Sequence, residues 1–455
     1  MAGRRLCDLS AKGVLLAAGL TGFASLLCCL SVAAQPPQAT ELPGDIFSIK
    51  KTWIIGGEGN WDYLTLDPSA LKLYIAHGSA VQVVDVNAGA VAGEVTGLRD
   101  AHQIALDDNG QFGYVSDGTA SELKVFDRET LRIVASVPTG KNPRGVVFDP
   151  ASRLIFVVCP DTVPESRIPR FASNGQRVYD PFVQSTITVI DADTQKRLAD
   201  LILPGKLGFA QSDGRGVVYV SISDRNQIGY FDAQDFSSRL RHRVTRAADK
   251  TAERKASVGK PETARPDAAA ADDPTLTIDW TETARVAPTI PNPVKTFGLG
   301  RDCMSPKGLA IDSTNMRLFT ACDNQKMEVL NATNGQVVAA LPVGVGTDAI
   351  GYDAGRGLIY VSNGGAANGS NLGSLTIIRQ HLSDSYAVIQ DLPTQSRART
   401  LAVNPDSGEV YLVTNILGFD LSKNGAGGTG GSGHTLPAVQ TTAVKGSFQV
   451  LVVGN

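Results

Sequence analysis

At 455 residues, with 42% hydrophobic and 19% charged residues, the chain has the composition of a soluble globular protein. Its formal net charge of −3 excludes the basic balance by which proteins hold nucleic acid or anionic membranes, so neither is expected as a partner. Length alone would suggest about three domains, but an internal repeat overrules that count.

In chain order, the first predicted element is an export signal. Arg4, Arg5 and Lys12 precede an apolar stretch from Val14 to Leu30, and Val32-Ala33-Ala34 offers small residues for cleavage. The run is too short and poorly flanked for a membrane anchor. Residues 1–34 are therefore set apart as a signal peptide, and the mature chain is expected in the periplasm or secreted, with no stable membrane span.

From residue 46 one pattern recurs seven times: an apolar run ending in Asp or Asn, a turn, and a second apolar run closing on a small polar residue. Tyr63-Leu-Thr-Leu-Asp67 with Leu73-Tyr-Ile-Ala-His77 is the first copy. The others are 103–107 with 113–117, 145–149 with 155–159, 209–213 with 218–222, 308–312 with 318–322, 349–353 with 359–363, and 400–404 with 411–415. A third run, such as Val81-Gln-Val-Val-Asp85, and a fourth, such as Ile133-Val-Ala-Ser-Val-Pro138, complete each unit. Alternating β-branched and small residues between turn signals predict strands, and a basal period of about 40 residues predicts propeller blades. The seventh copy lacks its fourth strand, and Lys51-Thr-Trp-Ile-Ile-Gly56, ahead of the first copy, resembles the missing one. The expected fold is all-β, a seven-bladed β-propeller closed by an N-terminal strand that completes the last blade and removes the exposed sheet edges.

Three insertions interrupt the period, at 161–184, 236–292 and 416–446. Within the second, residues 239–273 are rich in Ala, Pro, Lys, Arg and Asp and poor in large apolar residues, so disorder is expected there, with the Leu276-Thr-Ile-Asp-Trp280 piece docking locally. Export removes Cys7, Cys28 and Cys29. Of the three cysteines left, Cys303 precedes an inner strand and Cys322 ends the next, so the hairpin predicts a disulfide between them and leaves Cys159 as a buried thiol.

Tyr411-Leu-Val-Thr-Asn415, Tyr219-Val-Ser221 and Tyr360-Val-Ser-Asn363, with Val147-Phe-Asp-Pro150 around them, resemble the YVTN-repeat family of exported β-propellers, the YncE-like proteins. The resemblance covers residues 46–455 apart from the insertions and implies an exported propeller of WD40-like architecture. It implies little about activity, because relatives by fold include lactonases, quinone-linked dehydrogenases and DNA- or peptide-binding modules.

Aligning the copies on their Asp or Asn brings out a candidate site. Five residues earlier stand Asp62, His102, Arg144, Gly208, Lys307, Asp348 and Arg399, which a propeller would gather round one mouth of its channel. With His102 counted as neutral, three fixed cations against two carboxylates lean towards an anionic or zwitterionic ligand. Asp62 and His102 come from neighbouring blades, where they are either a base dyad or a plain hydrogen-bonded pair. A second, outer ring is expected from His77, Asp117, Asp161, Asp224, Asp323, Asn363 and Asn415, which turn chemistry alone would also favour after strands. The five His are scattered without metal-ligand spacing. The expectation is a monomeric binding or scaffold protein, without cofactor, that takes a small molecule or peptide at the mouth. The alternative is a lactonase-like hydrolase using a divalent cation held by Asp348 or Asp62 with Asn363. An accessory to a periplasmic quinone-linked oxidation system is a third reading. No catalytic residue is singled out.

Overall fold

The structure is a computed structural model, and it describes residues 46–163, 169–171, 177–179, 184–240, 276–279, 293–366, 372–419 and 441–455. The expected signal peptide lies outside these residues. The chain forms a seven-bladed propeller, each blade a four-stranded antiparallel sheet or an extension of one. The inner strands of blades 1 to 7 are Trp61–Asp67, Ala101–Leu106, Gly145–Asp149, Leu207–Ser212, Pro306–Asp312, Thr347–Asp353 and Leu401–Val403. The ring closes as the repeat predicted. Ser48–Ile54 pairs antiparallel with Gln449–Gly454 and supplies the outer strand of blade 7.

Seven apolar clusters, one at each blade–blade seam, make the core. Both faces of every blade are packed against a neighbour, so the second strands are buried along nearly their whole length. The repeated aromatic of those strands carries much of this burial: Tyr74, Tyr114, Tyr219, Tyr360 and Tyr411 are each at most 1% exposed. The repeated Asp has a structural role. Its carboxylate accepts from backbone N–H groups of the following turn, as in Ser69 N–H to Asp67 Oδ1 at 3.1 Å, Ser152 N–H to Asp149 Oδ2 at 2.8 Å and Thr314 N–H to Asp312 Oδ1 at 3.0 Å. It also latches to the next blade: Arg128 donates to Asp67, Ser212 Oγ to Asp149 Oδ1 at 2.6 Å, and Gln380 Nε2 to Asp312 Oδ2 at 3.0 Å.

The insertions depart from expectation in detail. Residues 233–240 form a helix, and Phe236 and Leu240 are buried in the seam between blades 3 and 4. Expected disorder from residue 239 is therefore corrected at its start, because Leu240 finds apolar partners that composition could not reveal; residues 241–273 lie outside the described ones. Leu276–Asp279 does dock, as a parallel fifth strand on the outer strand of blade 3. Short hairpins occupy parts of the other two insertions, Pro169–Phe171 with Arg177–Tyr179 and Leu417–Phe419 with Thr441–Ala443. A disulfide joins Cys303 and Cys322, their Cα atoms 5.4 Å apart. Cys159 is buried in blade 3, and burial pushes its thiol up to about 12. No helix among the described residues is long and apolar enough to cross a membrane.

Candidate functional site

The residues five places before the repeated Asp sit at a break in the sheet. In blades 1, 2, 4, 5 and 6 the pairing of inner and second strands slips between Trp61 and Leu64, Ala101 and Ile104, Leu207 and Ala210, Pro306 and Leu309, and Thr347 and Ile350. Asp62, His102, Gly208, Lys307 and Asp348 all fall inside these irregularities. A bulge re-aims the side chains it contains, and here the result is a cavity of about 730 Å³ lined by Asp62, His102, Arg144, Lys307, Asp348 and Arg399 together. All six side chains named from the sequence thus meet at one mouth.

The serine one place before the end of the second strands holds this ring in place in three blades. Ser116 Oγ of blade 2 donates to the Arg144 carbonyl of blade 3 at 3.1 Å, and Ser221 Oγ of blade 4 to the Lys307 carbonyl of blade 5 at 3.0 Å. Ser362 Oγ of blade 6 donates to the Arg399 carbonyl of blade 7. In blade 4 the ring position is Gly208, where a Cβ would come within 2.6 Å of Ser221 Oγ. That blade supplies its charge two residues earlier, from Lys206. An adjoining cavity of about 360 Å³ shares Asp62, Arg144, Lys307, Asp348 and Arg399 with the first and reaches Lys206.

The floor is aromatic. Tyr63 of blade 1 and Phe209 of blade 4 meet across the channel with ring centroids 5.0 Å apart, and Tyr63 OH donates to Asp348 Oδ1 at 3.4 Å. Burial, with the Asp348 and Asp62 carboxylates beside it, holds the Tyr63 hydroxyl well above its ordinary range. Trp61, which also lines the cavity, has a buried Nε1–H with no hydrogen-bond partner among the described residues.

Charge at the mouth is unevenly neutralised. His102 Nδ1 lies 2.8 Å from Asp62 Oδ2 and His102 Nε2 lies 3.1 Å from Asp100 Oδ2. Lys307 pairs with Asp323 at 3.1 Å, and Arg399 Nε with Asp348 Oδ2 at 3.4 Å. Arg144, Lys206 and Arg397 form no ion pair among the described residues. Of the two sequence readings of Asp62 and His102, the contacts fit the plain hydrogen-bonded pair. Asp62 and His102 do form a pair, but Asp100 occupies the other ring nitrogen of a His that is 6% exposed, so the pair is a clamp and not a poised base. Asp348 is the carboxyl of the mouth that departs most from its ordinary range: burial raises it from 3.8 to about 6, with Asp62 adding to the rise, while Arg399, Lys307 and the Tyr63 hydrogen bond oppose it.

The raised Asp348 has a measurable consequence. Its folded carboxyl takes up a proton near pH 6, whereas the unfolded one waits until about 3.8. The folded state therefore binds the extra proton between those values, and the stability this gives is full below 3.8 and lost as pH rises to 6. Asp348 keeps 27% of its side-chain surface exposed, which limits the penalty above pH 6 to about 2 kcal/mol. Asp348→Asn should be more stable than the parent by up to that amount at pH 7.5 and by none at pH 3.5. A denaturant titration showing the same difference at both pH values would refute the assignment.

The outer ring supports the inner one. Asp117 accepts from the backbone N–H groups of Arg99 at 2.9 Å and Asp100 at 3.1 Å, and Asp224 from Lys206 N–H at 2.6 Å. Asn363 accepts from Thr347 Oγ1 at 3.0 Å and donates to Ser374 Oγ at 3.1 Å and Thr376 Oγ1 at 2.9 Å. His77 Nδ1 contacts Gln82 Oε1 at 2.9 Å, and burial lowers its affinity for a proton. The Asp161 side chain lies outside the described residues, and Asn415 is buried near the blade 1–7 seam. Asn363 is thus held by Thr347, Ser374 and Thr376, and it is not among the residues lining the mouth cavity with Asp62 and Asp348. No group of three or more His, Cys, Asp or Glu suited to a metal occurs among the described residues.

Sequence alignment of the repeats missed Asp100, Lys206 and Arg397. All three stand seven residues before the repeated Asp or Asn, two before the aligned ring. They lie in the loops that lead into the inner strands, and because the copies share one offset, extending the alignment by two residues would have found them. Tyr63 and Phe209 carried no such signal, because their contact crosses the channel.

Comparison with known proteins agrees with the fold. A family model described as lactonase, 7-bladed beta-propeller, matches residues 69–168. The chain is 20% identical over 204 residues to the uncharacterized protein YwhL of Bacillus subtilis (strain 168), a match covering 38% of this chain and 44% of that one. It is 34% identical over 96 residues to a 6-phosphogluconolactonase of Serratia proteamaculans (strain 568), covering 20% of this chain and 28% of that one. These matches span less than half the length of either relative. Among solved structures, the structure of U3-55K superposes with a TM-score of 0.54 at 7% identity, covering 79% of this chain and 89% of that one. A chain of the mitotic checkpoint complex superposes with a TM-score of 0.53 at 13% identity, covering 84% and 94%. At these identities the likeness is one of fold.

Proposed function

We propose that this propeller is an exported, YncE-like binding protein whose channel mouth takes a small anionic organic molecule. One observation carries the reading: Arg144 lines both adjoining cavities, Arg397 the larger and Lys206 the smaller, and none of the three has a carboxylate partner among the described residues. Cations crowded at a sheltered mouth repel one another, and an anion relieves that repulsion while gaining charge-assisted hydrogen bonds. The aromatic floor of Tyr63 and Phe209 gives the ligand a closed end to rest on.

The test is a thermal-shift screen of carboxylates, phosphates and sugar acids. A bound anion should stabilise the fold by about 2.7 kcal/mol at a hundredfold excess over its dissociation constant. The double variant Arg144→Met, Arg397→Met should lose that gain and be as stable as the parent without ligand, since both side chains are outside the core. A screen without any stabilising anion, or a variant that unfolds unliganded, would sink the idea.

A second reading, hydrolysis of a lactone or ester, is favoured by the Asp348 carboxyl near neutrality and by the partial match to the lactonase family. Asp348 would take a proton from the attacking water, with Lys307 and Arg399 beside it to stabilise the developing oxyanion. Turnover of a sugar lactone that Asp348→Asn abolishes, with binding retained, would select this reading over simple binding.

A further inference from the structure

The unneutralised cations are arranged as two poles. Arg144 stands on blade 3 and Lys206 on blade 4, while Arg397 stands on blade 7. In a closed ring of seven, the blade 3–4 seam lies opposite blade 7. The flanks between these poles are different in kind. Blades 1 and 2 present Asp62 and Asp100, and blades 5 and 6 present Asp323 and Asp348. Each of these carboxylates touches a cation or His102 through one oxygen, and Asp348 also accepts from Tyr63 OH. Asp100 and Asp323 keep 43% and 50% of their side-chain surface exposed, so they retain accepting capacity towards the cavity. An anion placed on either flank would face carboxylates; a hydroxyl there would find acceptors.

Resting on the proposed binding role of the mouth, we infer that its ligand class is an elongated dianion: a small molecule with an anionic group at each end and hydroxyl groups between. One end is held by Arg144 and Lys206 and the other by Arg397, and the chain between them donates hydrogen bonds to the flanking carboxylates. A monoanion can satisfy only one pole and leaves the opposite cation facing empty cavity. A dianion with an apolar middle would leave the flanking carboxylates without donors and strip some of their water. Length is selected by the distance between the poles, hydroxylation by the flanks.

The experiment is isothermal titration of the intact protein with hydroxylated dicarboxylates of four, five and six carbons (tartrate, xylarate, glucarate) and with the matched monocarboxylates xylonate and gluconate. Adipate serves as the unhydroxylated six-carbon control. At least one aldarate should bind about tenfold or more tighter than its aldonate, the step expected for one charge-assisted contact, and glucarate should exceed adipate. Arg397→Met should bring the preferred aldarate down to the level of its aldonate while leaving the aldonate nearly unchanged. Lys206→Met is the second variant, and it should weaken both. Aldonates binding as tightly as aldarates would overturn the two-pole inference while leaving the binding role standing. If no anion of the series binds, the two-pole inference falls, and the binding role falls with it only if the phosphates of the wider screen also give no stabilisation.

Discussion

Deleting residues 46–54 should open the ring. The outer strand Ser48–Ile54 covers Gln449–Gly454, and without it that strand presents an unpaired edge in blade 7. The deletion also removes Trp53, stacked on Tyr411 with centroids 5.7 Å apart, and Phe47, which is 3% exposed. Phe47 is clamped at its backbone by one side chain: its N–H donates to Gln390 Oε1 at 2.8 Å and its carbonyl accepts from Gln390 Nε2 at 2.9 Å. Losing the buried Phe47 and the half-buried Trp53 together with a strand's hydrogen bonds should cost about 5 kcal/mol or more. The expected result is poor solubility or a broad, non-cooperative unfolding curve. Phe47→Ala alone, which keeps the strand, should cost about 3 kcal/mol and leave cooperativity intact. A truncated protein as soluble and stable as the parent would show that blade 7 does not depend on the N-terminal strand.

Replacing Cys303 and Cys322 with Ala should lower stability by about 3 kcal/mol. The bridge closes a loop with a sequence separation of 19, and a loop of that size removes about that much chain entropy from the unfolded state. The effect should reach the mouth, because the bridge borders the residues that carry its charges. Cys322 precedes Asp323, the partner of Lys307 at 3.1 Å, and Asp323 N–H donates to the carbonyl of Met304, next to Cys303, at 2.9 Å. Urea unfolding of the double variant measures the loss. A midpoint unchanged from the parent would mean that blade 5 depends on neither the crosslink nor the two buried sulfurs.

The six ring residues were legible because a repeat converts alignment into position. Any residue at a fixed offset from the Asp of one copy occupies the same place in every blade, so polar side chains at that offset must share one end of the channel. The same logic placed the closing strand, since a sheet with three strands at one chain end and a matching strand at the other has only one way to lose its edge. The role of the repeated Asp was harder to read. Its alignment with Pro or a small residue suggested a turn, and the structure adds the latch from Asp67 to Arg128 and from Asp312 to Gln380 across blade seams.

What the chain sequence determined by itself is the fold, the closing strand and the membership of the inner ring, because these depend on a periodicity repeated in every unit. Only the tertiary structure decided which charges remain available. Lys307 and Arg399 look like Arg144 in sequence, yet Asp323 and Asp348 neutralise the first two and leave Arg144 without a carboxylate partner among the described residues. His102 looks like a base until Asp100 arrives at its second nitrogen. Leu240 looks like part of a polar insertion until it is found in the seam between blades 3 and 4. In each case the deciding partner lies on another strand or blade, and its reach is set by bulges and loop paths that local sequence pattern does not encode. Electrostatics falls off over a few ångströms and responds to burial, so a difference of one neighbouring carboxylate separates a binding group from a structural one.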